Sequence, residues 1–441
     1  MGLSNSRRRK GALALLGALS IATLAACSSE SATSTSSSTD AAQAAEPISI
    51  DYWGWVPGAE TLVDTWNKNN PDIQVSFHRM TGDDGDKVQA SVDAGTAPDM
   101  VQLSTHSIPN YVVSGWVQDI TDYTADAKDL FTEGSWNAVT VADHVYGIPQ
   151  DSGPTAMMYR TDILDQYGIA VPTTWDEYVQ AARDLHAANP DLYIANISPT
   201  EIGQYMQEVM QAGGSWYGIK DDSWAVTMDN DASMQVAERW QTLVDEDLVT
   251  TEQVWTAEYW ALVNSGTIAT ITYAAWFPLQ LETNAPDTSG LWSVAPMPSD
   301  TGDGLSADSG GAATIVLKGA KNPEACAKFA AWFSGAPENQ ETLITEGGIF
   351  PAAKSGLESP ALLTANEFFG GQVINQVFAD AASHTATGWV DGPNFGTAQT
   401  AITDEFSKAV NGSETFAAAL QAAQATTIDN LKNTGLNVVT D

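Results

Sequence analysis

The stretch Ile48-Ser49-Ile50-Asp51-Tyr52-Trp53 alternates apolar and polar side chains, which is the pattern of a β-strand with one buried face. A helical pattern opens at Pro57 and stops at Pro71, and a second strand pattern follows over residues 73–77. Another helical segment leads to an apolar strand over residues 100–103. This βαβαβ order predicts a parallel sheet with right-handed crossovers and helices on both faces.

The predicted sheet also indicates where a ligand binds. Ligands of open α/β sheets bind beyond the carboxyl ends of the strands. Trp53, Gly54 and Trp55 stand at the end of the first strand, and the residues after Leu103 stand at the end of the third. We therefore expect a binding site at this edge of the sheet, with Trp53 and Trp55 among its residues.

The chain that precedes this sheet has the features of an export signal. A basic cluster at residues 7–10 is followed by an uncharged run, rich in Leu and Ala, over residues 11–26. This is the layout of a secretory signal. The uncharged run is too short to span a bilayer comfortably, because a transmembrane helix needs about 20 apolar residues. Leu24-Ala25-Ala26-Cys27 resembles the lipobox of bacterial lipoproteins, which implies a signal peptide over residues 1–26 and a lipid on Cys27. An ordinary signal peptide with a chance cysteine is the alternative.

The residues after Cys27 are typical of a flexible tether. Residues 28–46 are almost entirely Ser, Thr and Ala with a few acidic residues, a composition that cannot bury a core. We expect residues 27–46 to hold the mature protein at the extracellular face of the cytoplasmic membrane. The anchor would be the acyl chains on Cys27 rather than a transmembrane helix.

Composition limits the partners. The chain has 18 Lys and Arg against 55 Asp and Glu, a formal net charge of −37. Nucleic acid is therefore excluded as a partner, because phosphate contacts need basic clusters.

Apart from Cys27 the only cysteine is Cys326, which rules out an intramolecular disulfide and a Cys-based zinc site. Cys326 lies at helical spacing among apolar residues, and we expect it to be buried. Two acidic stretches, residues 83–86 and 300–304, depart from EF-hand spacing. We expect neither a metal nor a cofactor.

Further along, the chain keeps alternating strands and helices. Thr174-Trp175-Asp176-Glu177 has the form of a capping box at the start of a helix. Strands are predicted over residues 268–273 and 312–317, and Trp276 follows the first of these. Helices close the chain, and no fixed-period repeat occurs, which excludes solenoids and propellers.

The order of these motifs resembles that of the extracellular solute-binding proteins of ABC importers, in the group that includes maltose-binding protein. The resemblance covers nearly the whole chain after the tether and weakens after Ser355. The pieces that carry it are residues 48–55, Gly95-Thr96-Ala97-Pro98-Asp99, Gly115-Trp116-Val117-Gln118-Asp119, Tyr146-Gly147-Ile148-Pro149, Pro172-Thr173-Thr174-Trp175, Ala295-Pro296-Met297-Pro298, Gly310-Gly311 and Gly348-Ile349-Phe350-Pro351.

The resemblance implies a periplasmic-binding-protein-like fold, in which two doubly wound α/β lobes are joined by a hinge of about three crossings. The crossings are expected near residues 150–156, 270–276 and 333–337. Lobe 1 would combine residues 47–152 with 274–334, and lobe 2 would combine residues 153–273 with 335–441. The resemblance also implies a protein that is not an enzyme. We expect a monomer whose closed form is recognised by the membrane permease of an ABC importer.

Tryptophan is the clue to the solute. The chain has 15 Trp, more than its 12 Tyr or 12 Phe. Sugar rings present flat arrays of C–H groups with a rim of hydroxyl groups, so their sites need aromatic platforms edged by polar side chains. We therefore expect a carbohydrate, and specifically an oligosaccharide, in the cleft between the lobes.

The resemblance aligns Trp276 with a tryptophan that stacks on sugar in the maltose-binding group. Other ligand-binding residues are proposed from their positions at strand ends, crossings and turns: Trp53, Trp55, Trp216, Trp389, Asp99, Asp151, Gly310 and Gly311. Core packing is the alternative for each tryptophan, and a turn or cap is the alternative for Asp99. The tryptophans on amphipathic helix faces are expected in the core: Trp66, Trp175, Trp240 and Trp332.

Three other functions are alternatives to sugar binding. Asp308-Ser309-Gly310-Gly311 resembles the nucleophile motif of trypsin-like proteases, but none of the five histidines stands in a matching motif and the α/β pattern does not suit a β-barrel. A lipid-anchored glycoside hydrolase would also use tryptophans and paired carboxylates. A binding protein with a polyol or a peptide as its cargo is a further alternative. We expect no catalytic residues.

Overall fold

The structure, a computed structural model, describes residues 46–82 and 85–439. Its α-helices are α1 (Ala59–Asn69), α2 (Gly85–Asp93), α3 (Ile108–Val113), α4 (Glu133–Ala138), α5 (Thr161–Tyr167), α6 (Trp175–Ala188), α7 (Ile202–Gln211), α8 (Asp231–Asp245), α9 (Ala257–Ser265), α10 (Phe277–Asn284), α11 (Pro323–Gly335), α12 (Pro337–Thr345), α13 (Lys354–Leu357), α14 (Ile374–Ser383), α15 (Phe395–Val410) and α16 (Phe416–Asn433). Its β-strands are β1 (Ile48–Gly54), β2 (Ile73–Arg79), β3 (Met100–Ser104), β4 (Thr140–Val141), β5 (His144–Val145), β6 (Gly147–Pro149), β7 (Asp151–Ser152), β8 (Thr155–Arg160), β9 (Ala195–Asn196), β10 (Tyr217–Lys220), β11 (Ser223–Val226), β12 (Val249–Thr250), β13 (Thr270–Ala274), β14 (Trp292–Pro296), β15 (Ala312–Val316), β16 (Phe350–Pro351) and β17 (Val438–Val439). The predicted signal peptide, Cys27 and residues 27–45 of the predicted tether lie outside the described residues.

The first sheet contains the predicted βαβαβ unit. Its strand order is β2-β1-β3-β15-β6, and β1 pairs in parallel with both β2 and β3, which confirms the prediction. Ile50 and Tyr52 are buried on one face of β1, as the alternation of its sequence predicted. β15 returns between β3 and β6 and runs antiparallel to both.

A second sheet is built on β8. Both β13 and β14 pair antiparallel with β8. β9 and β12 pair in parallel with each other, and the Thr270 N–H donates to the Ile194 carbonyl at 2.8 Å. Backbone hydrogen bonds therefore connect this pair to β13. Helices pack on the two sheets and give two α/β lobes.

Short sequence patterns determine where helix α6 begins and which faces of several helices are buried. The capping box of α6 is present, with the Thr174 hydroxyl accepting from the Glu177 N–H and the Glu177 carboxylate reaching back. Trp66, Trp175 and Trp240 are buried, as their spacing predicted, and the partly buried Trp332 packs against the core. Cys326 on α11 is also buried, and burial raises the pKa of its thiol to about 12. This confirms that it serves as a small apolar side chain.

Buried side chains form three clusters. The first, which we call the first-sheet cluster, takes residues between 50 and 148 and again between 313 and 353. The other two surround β8 and take residues between 156 and 431, and α12 contributes to two clusters through Leu343 and Ile344. The chain first leaves the first-sheet cluster between residues 148 and 156, and the crossing expected near residues 150–156 stays a prediction.

The first-sheet cluster resumes at Ala313, after Ala307 of a cluster around β8, and its last residue is Ala353, although Ile344 and Phe350 already belong to a cluster around β8. The crossings expected near residues 270–276 and 333–337 stay predictions. β14 pairs with β8, which explains why the segment before residue 307 joins the second sheet. We propose that lobe 1 surrounds the first-sheet cluster and lobe 2 the other two, so that residues 274–307 belong to lobe 2 rather than to lobe 1. Within residues 46–82 and 85–439, no helix is both long and apolar enough to cross a membrane.

Candidate functional site

A cavity of about 170 Å³ lies at the carboxyl end of β3, where this edge of the first sheet meets α7 and α15. The residues after Leu103 therefore line a cavity, as the strand order led us to expect. The lining consists of Ser104, His106, Ser107, Glu201, Ile202, Gly203, Met206, Met210, Tyr273, Trp276, Asp308, Ser309, Gly310, Phe395 and Gln399. It combines apolar, aromatic and carboxylate groups from widely separated parts of the chain.

Trp276 is half-buried in the wall of this cavity. Its indole Nε1–H donates to the Ser309 carbonyl oxygen at 3.1 Å. The Tyr273 ring meets it edge-on, with the ring centroids 4.8 Å apart. These contacts fix the plane of the indole while part of its surface stays open. A fixed, partly open indole is a surface on which an apolar ring face can stack.

The glycine pair shapes the wall beside Trp276. Gly310 has a φ of +89° and Gly311 a φ of +138°, values that residues with a side chain rarely adopt. A Cβ on Gly311 would stand 2.9 Å from the Asp151 carbonyl oxygen. Gly310 therefore lines the cavity, whereas Gly311 allows two chain segments to approach each other behind it.

Asp151 lies buried behind the glycine pair. Its Oδ1 accepts the Ala312 N–H at 2.9 Å, at the start of β15. Burial, with the negative charge of Asp308 nearby, raises the pKa of Asp151 to about 7. The sequence suggested that this carboxylate accepts sugar hydroxyl groups. In the structure its hydrogen bond fixes the chain where β7 meets β15.

Two other carboxylates, Glu201 and Asp308, do line the cavity. Asp308 Oδ1 accepts the Gly153 N–H at 2.9 Å, and burial raises the pKa of Asp308 to about 6 although the charge of His106 opposes the rise. Burial also raises the pKa of Glu201. Ionised carboxylates are strong acceptors for ligand hydroxyl groups.

His106 links the first sheet to the loop that precedes α15. Its Nδ1 lies 2.8 Å from Asp391 Oδ1, and both side chains are largely buried. The Trp389 indole N–H donates to the same carboxylate oxygen at 2.8 Å. Trp389 itself packs against the core beside Trp216, with ring centroids 5.4 Å apart. Trp389 therefore contacts Asp391, which is also the partner of the cavity-lining His106.

The two tryptophans at the end of β1 pack on the first sheet. The Trp55 N–H donates to Gln102 Oε1 at 2.8 Å, and its half-buried side chain packs against the first-sheet cluster. The Trp53 ring lies 5.4 Å from Lys87 Nζ, a cation–π contact. Neither side chain belongs to the described lining of the cavity, so their role as ligand platforms stays a prediction.

Trp216 packs in the core and Asp99 bonds to the backbone, in line with the alternatives given above for these two residues. Trp216 is fully buried and its Nε1–H donates to Ser233 Oγ at 3.2 Å, so it is a core residue with no face open to a ligand. Asp99 precedes β3, at the opposite end of that strand from the cavity. Its Oδ2 accepts the Asp51 N–H at 2.9 Å, which is a role in positioning the backbone.

Trp255 is the main feature that sequence reasoning missed. Its Nε1–H donates to Glu201 Oε2 at 3.1 Å, and its ring centroid lies 6.1 Å from that of Trp276. These three residues come from the segments before α7, before α9 and after β13. The excess of tryptophan was the available signal, but only the tertiary structure brings these particular residues together.

A larger open groove, of about 1130 Å³, continues from the cavity. Ser107, Phe395 and Gln399 line both spaces. The rest of the groove is lined mainly by amide, hydroxyl and aromatic side chains, including Asn110 and Trp116. Within the described part of the chain, no group of three or more His, Cys, Asp or Glu side chains is arranged to hold a metal ion.

Comparisons with known sequences agree with this architecture. The family model described as bacterial extracellular solute-binding protein matches residues 61–370. The arabinooligosaccharide-binding protein of Halalkalibacterium halodurans is 24% identical over 336 residues, which are 73% of this chain and 74% of that protein. The lactose-binding protein of Rhizobium radiobacter is 25% identical over 358 residues, 76% of this chain and 82% of that protein.

Solved structures agree as well. The galacto-N-biose/lacto-N-biose I-binding protein of an ABC transporter from Bifidobacterium longum, in complex with lacto-N-biose, superimposes with a TM-score of 0.81 at 31% identity, covering 89% of this chain and 99% of that one. An ABC-transporter-associated binding protein from B. animalis subsp. lactis, in complex with β-1,6-galactobiose, gives a TM-score of 0.81 at 28% identity, covering 89% and 100%. The chain belongs to the family of bacterial extracellular solute-binding proteins.

Proposed function

We propose that the protein captures a carbohydrate, and specifically an oligosaccharide, in this cavity and delivers it to the membrane permease of an ABC importer. The observation that carries the proposal is the meeting of Trp276 with two carboxylates, Glu201 and Asp308, in one cavity. A sugar ring offers an apolar C–H face to an indole and hydroxyl groups to carboxylates. The bound lacto-N-biose and β-1,6-galactobiose of two similar proteins support a sugar ligand.

An energy estimate favours a ligand of more than one ring. Stacking on Trp276 that removes about 100 Å² of apolar surface from water contributes about 2.5 kcal/mol. Hydrogen bonds to Glu201 and Asp308 contribute about 1.5 to 3 kcal/mol each. The sum, about 5.5 to 8.5 kcal/mol, barely reaches the roughly 8 kcal/mol of a micromolar complex before the costs of association are subtracted. Further contacts are therefore needed.

The open groove offers room for these contacts. Ligand sites usually measure about 300 to 1,000 Å³, so a cavity of about 170 Å³ is small for an oligosaccharide. The groove of about 1130 Å³ opens from the cavity at Ser107, Phe395 and Gln399. Its amide and hydroxyl side chains, with the aromatic ring of Trp116, suit an uncharged chain of sugar rings.

Binding without turnover is part of the proposal. A glycoside hydrolase needs one carboxyl group that donates a proton and a second one that acts as base or nucleophile. Here Asp308 Oδ1 is engaged by the Gly153 N–H and Glu201 Oε2 by the Trp255 indole. Both carboxylates are thus held as acceptors, an arrangement that suits the binding of hydroxyl groups.

We also propose that the mature protein acts as a monomer outside the cell, anchored by a lipid on Cys27. The lipobox-like sequence before Cys27 and the extracellular character of the family support this location, and a 24% identical protein of Streptomyces antibioticus carries the name lipoprotein. Cys27→Ser should move the protein from the membrane fraction into the medium, with Ser29→Ala as the control. A Cys27→Ser protein that stays in the membrane would contradict lipidation.

Isothermal titration calorimetry tests the function directly. The ligands are lactose, lacto-N-biose, β-1,6-galactobiose and arabino-oligosaccharides of increasing length, with a polyol and a peptide as alternative cargoes. We expect binding heat with at least one oligosaccharide, tighter binding of longer chains and no new reducing ends. Binding of the polyol or the peptide alone would overturn the sugar assignment, and release of reducing ends would identify a hydrolase.

A further inference from the structure

The backbone conformation of Trp255 is unusual for a residue with a large side chain. Its φ is +69°, in the left-handed region that bulky residues rarely adopt, because Cβ comes too close to the following carbonyl oxygen. The side chain is also 44% exposed, so burial of apolar surface compensates this strain only in part. Strained residues of this kind persist where their surroundings hold them, and they cluster at binding sites.

Besides its contacts with the rings of Trp260, Tyr273 and Phe277, two contacts join the Trp255 indole to Glu201 and Trp276. Its Nε1–H donates to Glu201 Oε2 at 3.1 Å. Its ring lies at 28° to the Trp276 ring, with the centroids 6.1 Å apart. Glu201 and Trp276 both line the cavity. The strained loop therefore places one side chain against two cavity-lining groups at once.

The contact with Trp255 also determines how Glu201 meets a ligand. A carboxylate has about four acceptor sites. The Trp255 indole N–H occupies one of them, and the Tyr273 hydroxyl and the Gly203 N–H are close enough to lower the pKa of Glu201. The remaining acceptor sites are available to a ligand hydroxyl. Without the indole N–H, the carboxylate would lose one of the bonds that fix its direction.

We propose that Trp255 is a positioning residue of the binding site, which holds the Glu201 carboxylate and the Trp276 ring in the arrangement that receives one sugar ring. The inference rests on the proposed function. Trp255 acts through its two neighbours, and the strain in its backbone is the cost of placing the indole between them. Its effect is on affinity for the ligand.

The hydrogen bond gives this role a pH signature. Burial raises the pKa of Glu201, whereas the hydrogen bonds from Trp255 and Tyr273 lower it. Removal of the indole N–H therefore raises the pKa of Glu201 further. The ionised carboxylate, which is the form that accepts a ligand hydroxyl with both oxygens, is then lost at a higher pH as the solution is acidified.

Other titratable groups around Glu201 do not produce this signature. Tyr259 and Tyr273 act on it electrostatically, but burial raises the pKa of both phenols, so both stay neutral in acid. Asp308 and His106 line the same cavity. Their titration affects the wild type and a Trp255 variant alike, so a difference between the two proteins reports on Glu201.

The test compares W255F with a matched control, W332F. Phenylalanine keeps an aromatic ring and removes the indole N–H together with part of the ring surface, and W332F makes the same chemical change. The Trp332 indole also donates to a carboxylate, Glu338 Oε1 at 3.2 Å, but packs against the first-sheet cluster. Affinities for lacto-N-biose and arabinotriose are measured by calorimetry across acidic and neutral pH. We expect W255F to weaken binding about tenfold at neutral pH and to lose binding at a higher pH than the wild type, and W332F to change neither.

The outcomes separate the two proposals. If W255F matches W332F in affinity and pH profile while the wild type binds sugar, this inference fails and the proposed function stands. If the wild type binds no sugar of the calorimetric panel, the proposed function fails and the inference falls with it. Thermal unfolding checks that each variant folds. If W255F does not fold, W255Y is compared with W332Y by the same two measurements: weaker binding that is lost at a higher pH supports the inference, and no difference from W332Y overturns it.

Discussion

Trp276 and Trp216 have the same side chain in opposite surroundings. Trp276 is half-buried, with its nitrogen bound to a backbone carbonyl and part of its ring open to the cavity. Trp216 is fully enclosed and bound to Ser233. An open indole contributes its free energy when a ligand arrives, whereas an enclosed one contributes when the chain folds. Substitution of the two should therefore change different measurements.

Trp276→Ala is expected to weaken oligosaccharide binding at least about tenfold, because the loss of stacking on one platform is about 2.5 kcal/mol. The melting midpoint should change little. Trp216→Ala is the matched comparison, and its cavity should lower the free energy of unfolding by about 3 to 5 kcal/mol. Calorimetry and urea unfolding measure the two effects. A Trp276→Ala protein with an unaltered dissociation constant would remove this residue from the site.

Sequence reasoning about residues succeeded where the cause is local. Helical spacing predicted that Trp66 and Trp240 are buried, because spacing alone defines the inner face of a helix. The place of Asp151 behind the glycine pair depends on how β7 meets β15, which no local pattern encodes. The pairing of Trp255 with Glu201 joins residues far apart in the chain, and the sequence offered no sign of it.

At the scale of elements, α6 shows how a short motif starts a helix. The Thr174 hydroxyl accepts the Glu177 N–H at 3.1 Å, and Glu177 Oε2 accepts the Thr173 N–H at 2.9 Å and the Thr174 N–H at 3.3 Å. These bonds satisfy N–H groups that the first turn of a helix leaves without partners. Trp175 and Tyr178, in the first turns of α6, are buried in one of the two clusters around β8. The cap thus supports packing as well as the helix itself.

Thr174→Ala is expected to lower the free energy of unfolding by about 1 kcal/mol, the usual cost of losing an N-cap hydroxyl. Thr400→Ala on α15 is the control, since that hydroxyl bonds only to the Gly396 carbonyl within its own helix. Urea unfolding of both variants gives the comparison. Equal stability of the two variants would mean that the capping box contributes nothing to the folded state.

The pairing of strands was predictable where the paired strands are close together in the sequence. The strands β1, β2 and β3 alternate with helices over a short stretch, and their pairing follows from that order. β15 was recognisable as a strand, but its antiparallel place between β3 and β6 depends on partners far away in sequence. The same holds for β14, whose pairing with β8 moves its segment to the second sheet. Long-range pairing of this kind leaves no mark on local periodicity.

At the scale of the whole molecule, a polar contact beside the cavity connects the first sheet with a cluster around β8. His106 follows β3 in the first sheet, and Asp391 belongs to a loop whose neighbours Trp389 and Val390 pack against that cluster. The His106 Nδ1 to Asp391 Oδ1 contact of 2.8 Å therefore joins the two lobes that we propose. A contact that is made only when two lobes are together favours their closed arrangement.

Asp391→Ala should therefore shift the ligand-free protein toward an open arrangement. The apparent dissociation constant rises as the fraction of binding-competent molecules falls, so we expect weaker sugar binding. Opening should also increase the radius of gyration measured by small-angle X-ray scattering. Saturating sugar should restore the smaller radius. Asp119→Ala is the control, because the His144 Nδ1 to Asp119 Oδ2 contact of 2.7 Å is exposed and lies within the proposed lobe 1. If Asp391→Ala and Asp119→Ala scatter alike with and without sugar, the His106 contact does not hold the lobes together, and the control of closure must lie in the hinge segments themselves.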